Sequence, residues 1–271
     1  MDLLRAGDRE RYLTVLFAPQ DRRAAFAALY AFNLETARVR DLVSEPMPGE
    51  IRLQWWREVI SGDREGEGRQ HPVAAALLDA VGAHDLSREA LANLTEARVF
   101  DLYNDPMPDR TTLEGYLGET VSVLFQLSAQ ILDPGSGARA ADAAGHAGVA
   151  LGIDGLIRRI PQHRARGQVY VPADILSAAG TDASGWLDGG DREAMQRAVS
   201  ILVELGREHL ARAETALSGL DKPLRVAFLP LSSCAPAFRR GTRASALAWE
   251  HPVSPSPVAQ YLRVVMRAIR G

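Results

Sequence analysis

Apolar residues recur at helical spacing along most of this 271-residue chain, and proline- and glycine-rich turns separate one such stretch from the next. Residues three and four positions apart share a face of a helix, so this spacing predicts helices that pack through apolar sides. The predicted helices cover residues 20–43, 49–61, 87–104, 111–132, 138–160, 192–217, 222–238 and 255–269, and a further helix opens near Pro72. The sequence therefore predicts an all-α fold.

The composition favours a single domain over residues 1–271. Hydrophobic residues make up 46% of the chain, which is enough to bury a substantial core. The formal net charge is −3 and the basic residues are interleaved with acids, so no nucleic acid is expected as a partner. Cys234 is the only cysteine, which excludes an internal disulfide and suits a reducing compartment.

The first residues of the chain lack the features of an export signal, because charges interrupt their short apolar part and no cleavage site follows. Nowhere do about eighteen apolar residues follow one another, as a membrane-spanning helix would require. We therefore expect a cytoplasmic protein whose contact with the inner membrane is at most peripheral.

The last predicted helix has a basic stripe. Its spacing predicts an inward face of Tyr261, Val264, Val265 and Ile269 and an outward face of Arg263, Arg267 and Arg270. We interpret the arginine face as solvated, and contact with an anionic membrane is the alternative.

Two segments, YAFNLETARVRD at residues 30–41 and GIDGLIRRIPQHRARGQVYVP at residues 152–172, resemble the paired aspartate-rich motifs of the squalene/phytoene synthase family. The landmarks between them occur in the order expected for that family: Trp56, His71-Pro72, Asp101 and the stretch YLGETVS at residues 116–122. The resemblance covers most of the chain. It implies a single-domain, isoprenoid-synthase-like helical bundle around a central cavity.

In that family, carboxylate pairs on two facing helices hold Mg²⁺ and a prenyl diphosphate, because side chains four residues apart project from one helix face. The residues of this chain at the acidic motif positions are Ala37, Arg38, Asp41, Arg159 and His163. Only Asp41 is a carboxylate. The sequence therefore predicts no metal and no cofactor, with Mg²⁺ expected only if the chain is an active synthase.

A nearby acid does not restore the metal site. Asp154 lies five residues before Arg159 and is better placed to pair with Arg158, four residues further along the helix. We expect an internal ion pair there rather than a metal ligand.

The basic residues of the motif segments suggest a second interpretation, in which guanidinium groups bind phosphate oxygens without a metal. The candidate anion- or diphosphate-binding residues are Arg38, Arg158, Arg159, Arg166 and Tyr170. The competing interpretation is that several of these arginines lie on solvated helix faces.

Shorter strings resemble a degenerate branch of the family that includes a mitochondrial assembly factor of respiratory complex I. They are Gln54-Trp55-Trp56, Pro161-x-His163 and AFLPL at residues 227–231. This resemblance implies a non-catalytic protein whose partner is a complex I subunit or assembly intermediate.

Two alternatives remain open at this point. One is an active prenyl diphosphate transferase that uses Asp41, Asp101 and Arg158. The other is a carrier that holds a prenyl diphosphate or lipid in the cavity without reacting it.

Overall fold

The computed structural model of the chain describes residues 1–243 and 256–270, and all regular secondary structure in these ranges is helical. The α-helices are α1 (Asp2–Gly7), α2 (Arg9–Phe17), α3 (Arg23–Ala37), α4 (Val39–Leu42), α5 (Pro46–Ser61), α6 (Glu65–Gly68), α7 (Pro72–His84), α8 (Arg88–Ala97), α9 (Arg110–Leu117), α10 (Val123–Leu132), α11 (Ser136–Arg139), α12 (Ala141–Arg158), α13 (Ile160–Ala165), α14 (Ala173–Ala178), α15 (Ala183–Asp188), α16 (Arg192–Ser218), α17 (Cys234–Arg243) and α18 (Pro257–Arg270). Two 3₁₀ segments, Arg98–Leu102 and Lys222–Ser233, and a π-helical turn, Gly118–Ser122, complete the set. The predicted all-α fold is confirmed.

Local sequence explains several helix ends. The Ser87 hydroxyl accepts a hydrogen bond from the Ala90 amide and caps α8. Gly62 ends α5 with φ of 106°, a left-handed conformation that favours glycine. Pro46, predicted to break the chain before a helix starting at Gly49, instead opens α5 itself, because the first turn of a helix needs no hydrogen bond from its amide nitrogens.

Both motif segments are interrupted at a predicted site residue. The predicted helix 20–43 is divided at Arg38, whose φ and ψ of −95° and 0° separate α3 from α4. In the same way, Arg159, with φ and ψ of −109° and 9°, separates α12 from α13. Side chains that would share one face of a continuous helix therefore lie on two successive helices.

The hydrophobic core has two parts that meet at α10. Val123, Leu124 and Leu127 pack into the part formed mainly by α3, α5, α7 and α8. Phe125 and Ala129 pack into the other part, formed mainly by α12 and α16. A helix that is apolar all round is expected in such a central position.

Helix α12 lies very close to the π-helical turn. A Cβ added to Gly148 would lie 2.3 Å from the backbone nitrogen and Cα of Ser122. The Ser122 hydroxyl also donates a 2.9 Å hydrogen bond to the Gly145 carbonyl. Only glycine fits at position 148, and the close approach joins the two parts of the core.

In α18, two apolar residues predicted to face inward are exposed, and one arginine predicted to face outward is turned inward. Val264 is fully buried as predicted, but Tyr261 and Ile269 are 50% and 73% exposed. The Arg267 guanidinium turns inward, where it bonds the Phe228 carbonyl at 3.1 Å and the Glu214 carboxylate at 2.7 Å. The helix has apolar residues on two sides, and contacts with other helices decide which side is buried. Pro255 and the Arg270 side chain lie outside the described residues.

The sequence predicts no membrane-spanning helix, and the length and apolarity of the described helices can be compared with that prediction. Across residues 1–243 and 256–270, no helix combines the length and apolarity that crossing a bilayer demands.

We predict that Gly148→Ala lowers the free energy of unfolding by about 3 kcal/mol, because the new methyl group must displace backbone rather than a flexible side chain. Gly155→Ala is the matched control on the same helix, since a Cβ there meets no atom within 4 Å. Urea unfolding should show no loss for the control, and equal losses in both variants would contradict the close contact.

Candidate functional site

The Asp101 carboxylate lies buried between the two motif segments and is surrounded by donors. Its Oδ1 accepts hydrogen bonds from the Tyr116 hydroxyl at 2.7 Å and the Tyr170 hydroxyl at 2.6 Å. Its Oδ2 accepts from Arg98 Nη1 at 3.3 Å. Arg98 belongs to the first 3₁₀ segment, Tyr116 to α9 and Tyr170 to the connector before α14. This carboxylate therefore links three parts of the chain.

A wider polar network fixes the same group. Arg98 also donates to the Tyr116 hydroxyl at 3.0 Å and to the Asn33 side-chain oxygen of α3 at 3.3 Å. Gln168 donates to the backbone carbonyl of Asp101 at 2.8 Å. Burial, followed by the charge of Asp101, raises the pKa of both Tyr116 and Tyr170. Both phenols therefore remain protonated donors to the carboxylate.

A second cluster lies at the protein surface, where α4 approaches α13. Arg166 Nη1 lies 2.6 Å from Asp41 Oδ1, and both side chains are about two-fifths exposed. The His163 ring stacks at a tilt on Tyr170, with 4.6 Å between centroids, and so connects this cluster to the Asp101 network. Arg159 is exposed beside them.

Burial, together with the charges of this cluster, holds His163 neutral. Its pKa falls from 6.5 to about 4, mainly through burial and then through the positive charges of Arg159 and Arg166, while Asp41 acts in the opposite direction. A neutral imidazole in this position is neither a cation for phosphate nor a carboxylate for magnesium.

Arg158 turns away from the surface into a third, internal network. It forms an ion pair with Asp154, as the i, i+4 spacing predicted, and a second pair with Glu10 at 3.2 Å. The Ser233 hydroxyl donates to the same Asp154 oxygen at 2.6 Å. Because two carboxylates already neutralise Arg158, this side chain is committed to linking α12 with α2.

The candidate residues are therefore distributed over three places. Asp41, Arg159, His163 and Arg166 come together at the surface, Tyr170 belongs to the Asp101 network, and Arg158 lies in the internal ion network. Arg38 is exposed, and Ala37, at the end of α3, has no polar group to contribute. Anion binding by Arg38, Arg159 and Arg166 stays a prediction.

The donor set does not fit the Mg²⁺ ions that the fold implies. The five acidic motif positions supply one carboxylate, Asp41, and that carboxylate is already bound by Arg166. Arg159 would repel a cation, and Mg²⁺ requires near-octahedral oxygen ligands. Within the described ranges, no three His, Cys, Asp or Glu side chains are grouped so that they could hold a metal ion.

The space beside these residues is small. A cavity bounded by His163, Gln168 and Tyr170 has a volume of about 10 Å³. A drug-sized ligand needs roughly 300 Å³ or more. A prenyl chain does not fit in a cavity of this size.

The other landmarks of the sequence are structural. Trp55, Trp56 and His71 form an aromatic cluster with centroids 5.1 to 5.6 Å apart, and Phe32 of α3 packs on Trp56 at 5.1 Å. The AFLPL string at residues 227–231 is buried in the second 3₁₀ segment. These residues stabilise the fold through packing.

Sequence reasoning missed Glu10, Arg98 and Ser233. Arg98 precedes Asp101 by three residues, so helical spacing offered a signal for that pair. Glu10 lies 148 residues from Arg158, and no local pattern reports a contact over such a separation.

An all-helical bundle with two facing motif segments defines the isoprenoid synthase fold. A squalene synthase HpnC from Alicyclobacillus acidocaldarius superimposes with a TM-score of 0.74 over 93% of both chains, at 18% identity. Residues 4–261 match the model of the squalene/phytoene synthase family, and the chain belongs to that family.

Two groups of relatives differ in similarity. The chain is 31% identical to a Bos taurus protein named NADH dehydrogenase (ubiquinone) complex I, assembly factor 6, over 79% of this chain and 64% of that protein. It therefore spans just under two thirds of the length of that relative. Presqualene diphosphate synthase of Rhodopseudomonas palustris is 26% identical over 81% of this chain and 77% of that enzyme.

We predict that Asp101→Asn lowers the free energy of unfolding by about 3 kcal/mol or more, because it leaves the buried Arg98 charge without its carboxylate. Asp41→Asn is the matched control, since it removes the same charge from an exposed pair that contributes at most about 1 kcal/mol. Urea unfolding of both variants decides the matter, and equal losses would show that the Asp101 network does not stabilise the core.

The neutral state of His163 makes stability depend on pH. The unfolded chain binds a proton on this group below about pH 6.5, whereas the folded protein binds it only near pH 4. Stability should therefore be complete above that window and fall as the pH decreases through it.

We predict that His163→Gln flattens the decrease in unfolding free energy between about pH 6.5 and pH 4. Urea unfolding at several pH values measures the slope, and NMR titration of the wild-type imidazole checks its pKa directly. Parallel slopes for the two proteins, or a His163 resonance that titrates near pH 6.5, would refute the assignment.

Proposed function

We propose that this protein is a non-catalytic member of its family that acts in the assembly of respiratory complex I. The observation that supports this most strongly is the chemistry at the motif positions. Synthesis through a diphosphate requires positive charge on the leaving group and an open pocket for the chains. The acidic motif positions here provide one carboxylate, Asp41, which is already paired to Arg166.

Packing supports the same proposal. The buried charges of the bundle are paired internally, because Asp101 accepts from two phenols and a guanidinium and Arg158 is held by two carboxylates. Opening a prenyl-sized cavity would separate several of these buried charges. Each separation costs several kcal/mol, so the closed state is favoured.

The comparisons support the choice of process. The chain is more similar to the proteins named as complex I assembly factors than to the presqualene diphosphate synthases. A complex I subunit or an assembly intermediate is accordingly the partner we propose. We also propose a cytoplasmic location, in peripheral contact with the inner membrane.

Two readouts in one organism separate the assembly role from synthesis. We predict that deletion of the gene lowers NADH:quinone oxidoreductase activity in membranes and leaves carotenoid and hopanoid levels unchanged. Rescue with the Asp41→Ala variant tests the mechanism further, because this change removes the only motif carboxylate and leaves the buried networks intact. The assembly role predicts that the variant restores oxidoreductase activity.

The opposite pattern would refute the proposal: loss of the isoprenoid product with normal oxidoreductase activity, and failure of Asp41→Ala to restore that product. Purified protein with farnesyl or geranylgeranyl diphosphate and Mg²⁺ supplies the direct control. The proposal requires that neither squalene nor phytoene forms.

A further inference from the structure

An apolar stripe runs along the outward side of α18. It consists of Val258, Tyr261, Leu262, Met266 and Ile269, which are 45% to 73% exposed. With 3.6 residues per turn these positions fall on one face of the helix, opposite the buried Val264. Isolated exposed apolar residues are common on protein surfaces, whereas a continuous stripe on one helix marks an interaction surface.

The stripe is held in a fixed orientation. Inward-facing Arg267 bonds the Phe228 carbonyl and Glu214, and Val264 packs with Leu13 and Leu229. Rotating the helix to bury the stripe would break these contacts and expose Val264. The outward apolar face is therefore a property of the folded protein.

Phe17 of α2 extends the same surface. Phe17 and Met266 both line a cleft of about 670 Å³ between α18, the 3₁₀ segment Lys222–Ser233 and the end of α16. Phe17 is 37% exposed. We call the surface formed by Phe17 and the outward stripe of α18 the apolar face.

Positive charge borders this face. Arg263 lines the cleft beside Met266, and burial and the neighbouring charges of Arg240 and Arg239 lower its pKa. In the described part of the chain, Arg239, Arg240 and Arg263 form no ion pair with a carboxylate. The cleft itself contains one acidic side chain, Glu214, and Arg267 already neutralises it. The border is locally basic although the whole chain has a net charge of −3.

We propose that the apolar face of this protein docks onto an anionic phospholipid bilayer. Apolar side chains enter the boundary between headgroups and acyl chains, and the three arginines bind headgroup phosphates. A helix lying in the membrane plane with arginines along its edge has this combination of groups. This inference rests on the membrane contact proposed above and identifies the surface that makes it; it does not depend on the assembly role.

Charge favours a bilayer over a second copy of the chain. In a symmetric dimer each patch meets its own equivalent, so the arginine groups of the two copies would lie close together. Like charges repel at such distances, and no acid of the cleft is free to offset them. An anionic lipid surface supplies the missing negative charge over the whole border.

Vesicle flotation of the purified full chain tests the proposal. We expect binding to phosphatidylcholine vesicles that contain phosphatidylglycerol, and weak binding to phosphatidylcholine alone. The double variant Leu262→Ser/Met266→Ser should lose at least about tenfold in affinity, since each side chain gives up apolar burial. Arg239→Gln/Arg240→Gln should lose about fivefold for each arginine and become less sensitive to salt.

The matched control is Met47→Ser/Ile51→Ser, which removes two residues of α5 that are 71% and 64% exposed, away from the apolar face. It should bind vesicles as the wild type does, and thermal melts should show that all variants fold. Equal loss in the control, equal binding to both vesicle types, or no binding at all would overturn the proposal. So would a wild-type dimer, seen by light scattering, that Leu262→Ser/Met266→Ser dissociates.

Discussion

The fold depends on a buried carboxylate that is neutralised from within the chain. Asp101 accepts from Tyr116, Tyr170 and Arg98, and Arg98 reaches on to Asn33 in α3. A buried charge is tolerated only when such partners surround it, so the elements that supply them must stay in register. The two parts of the core on either side of α10 are therefore joined by polar bonds as well as by apolar packing. Separating these buried charges would cost several kcal/mol, so the arrangement resists rearrangement.

The internal network around Arg158 applies the same principle at the other end of the bundle. Its guanidinium lies between Asp154 of the same helix and Glu10 of α2, with Ser233 completing the bonds to Asp154. Burial raises the pKa of the Glu10 carboxyl, and Arg158 opposes that effect. Binding a diphosphate through Arg158 would require a free guanidinium. Here that side chain instead holds α12 and α2 together. A side chain in a motif segment can therefore serve the stability of the fold.

Helical spacing was sufficient to predict the fold, because each helix displays its own apolar side locally. The predicted ranges 138–160 and 192–217 correspond to the observed Ala141–Arg158 and Arg192–Ser218. The same spacing found the Arg158–Asp154 pair but not Glu10, since long-range partners leave no periodic signal. It also could not orient α18, where Val264 and Ile269 are both apolar and only the packing against Leu13 and Leu229 selects the buried side. The breaks at Arg38 and Arg159 were missed for a related reason: neither residue is a helix breaker by itself.

An ion pair stands at the motif positions where the family resemblance implies facing carboxylates. Two facing carboxylate pairs repel each other unless a cation lies between them, so a chain of this fold without Mg²⁺ would be destabilised by a full set of them. Here one acid remains, and Arg166 from the opposite segment binds it directly. Arg159 and Arg166 also help to keep His163 neutral, and its ring can then pack against Tyr170 without introducing a buried charge. The substitutions therefore act together: they remove the need for a cation and connect the surface ion pair to the Asp101 network. A single aspartate at position 159 or 163 would add one carboxylate beside Asp41 and Arg166, which is still too few oxygen ligands for Mg²⁺.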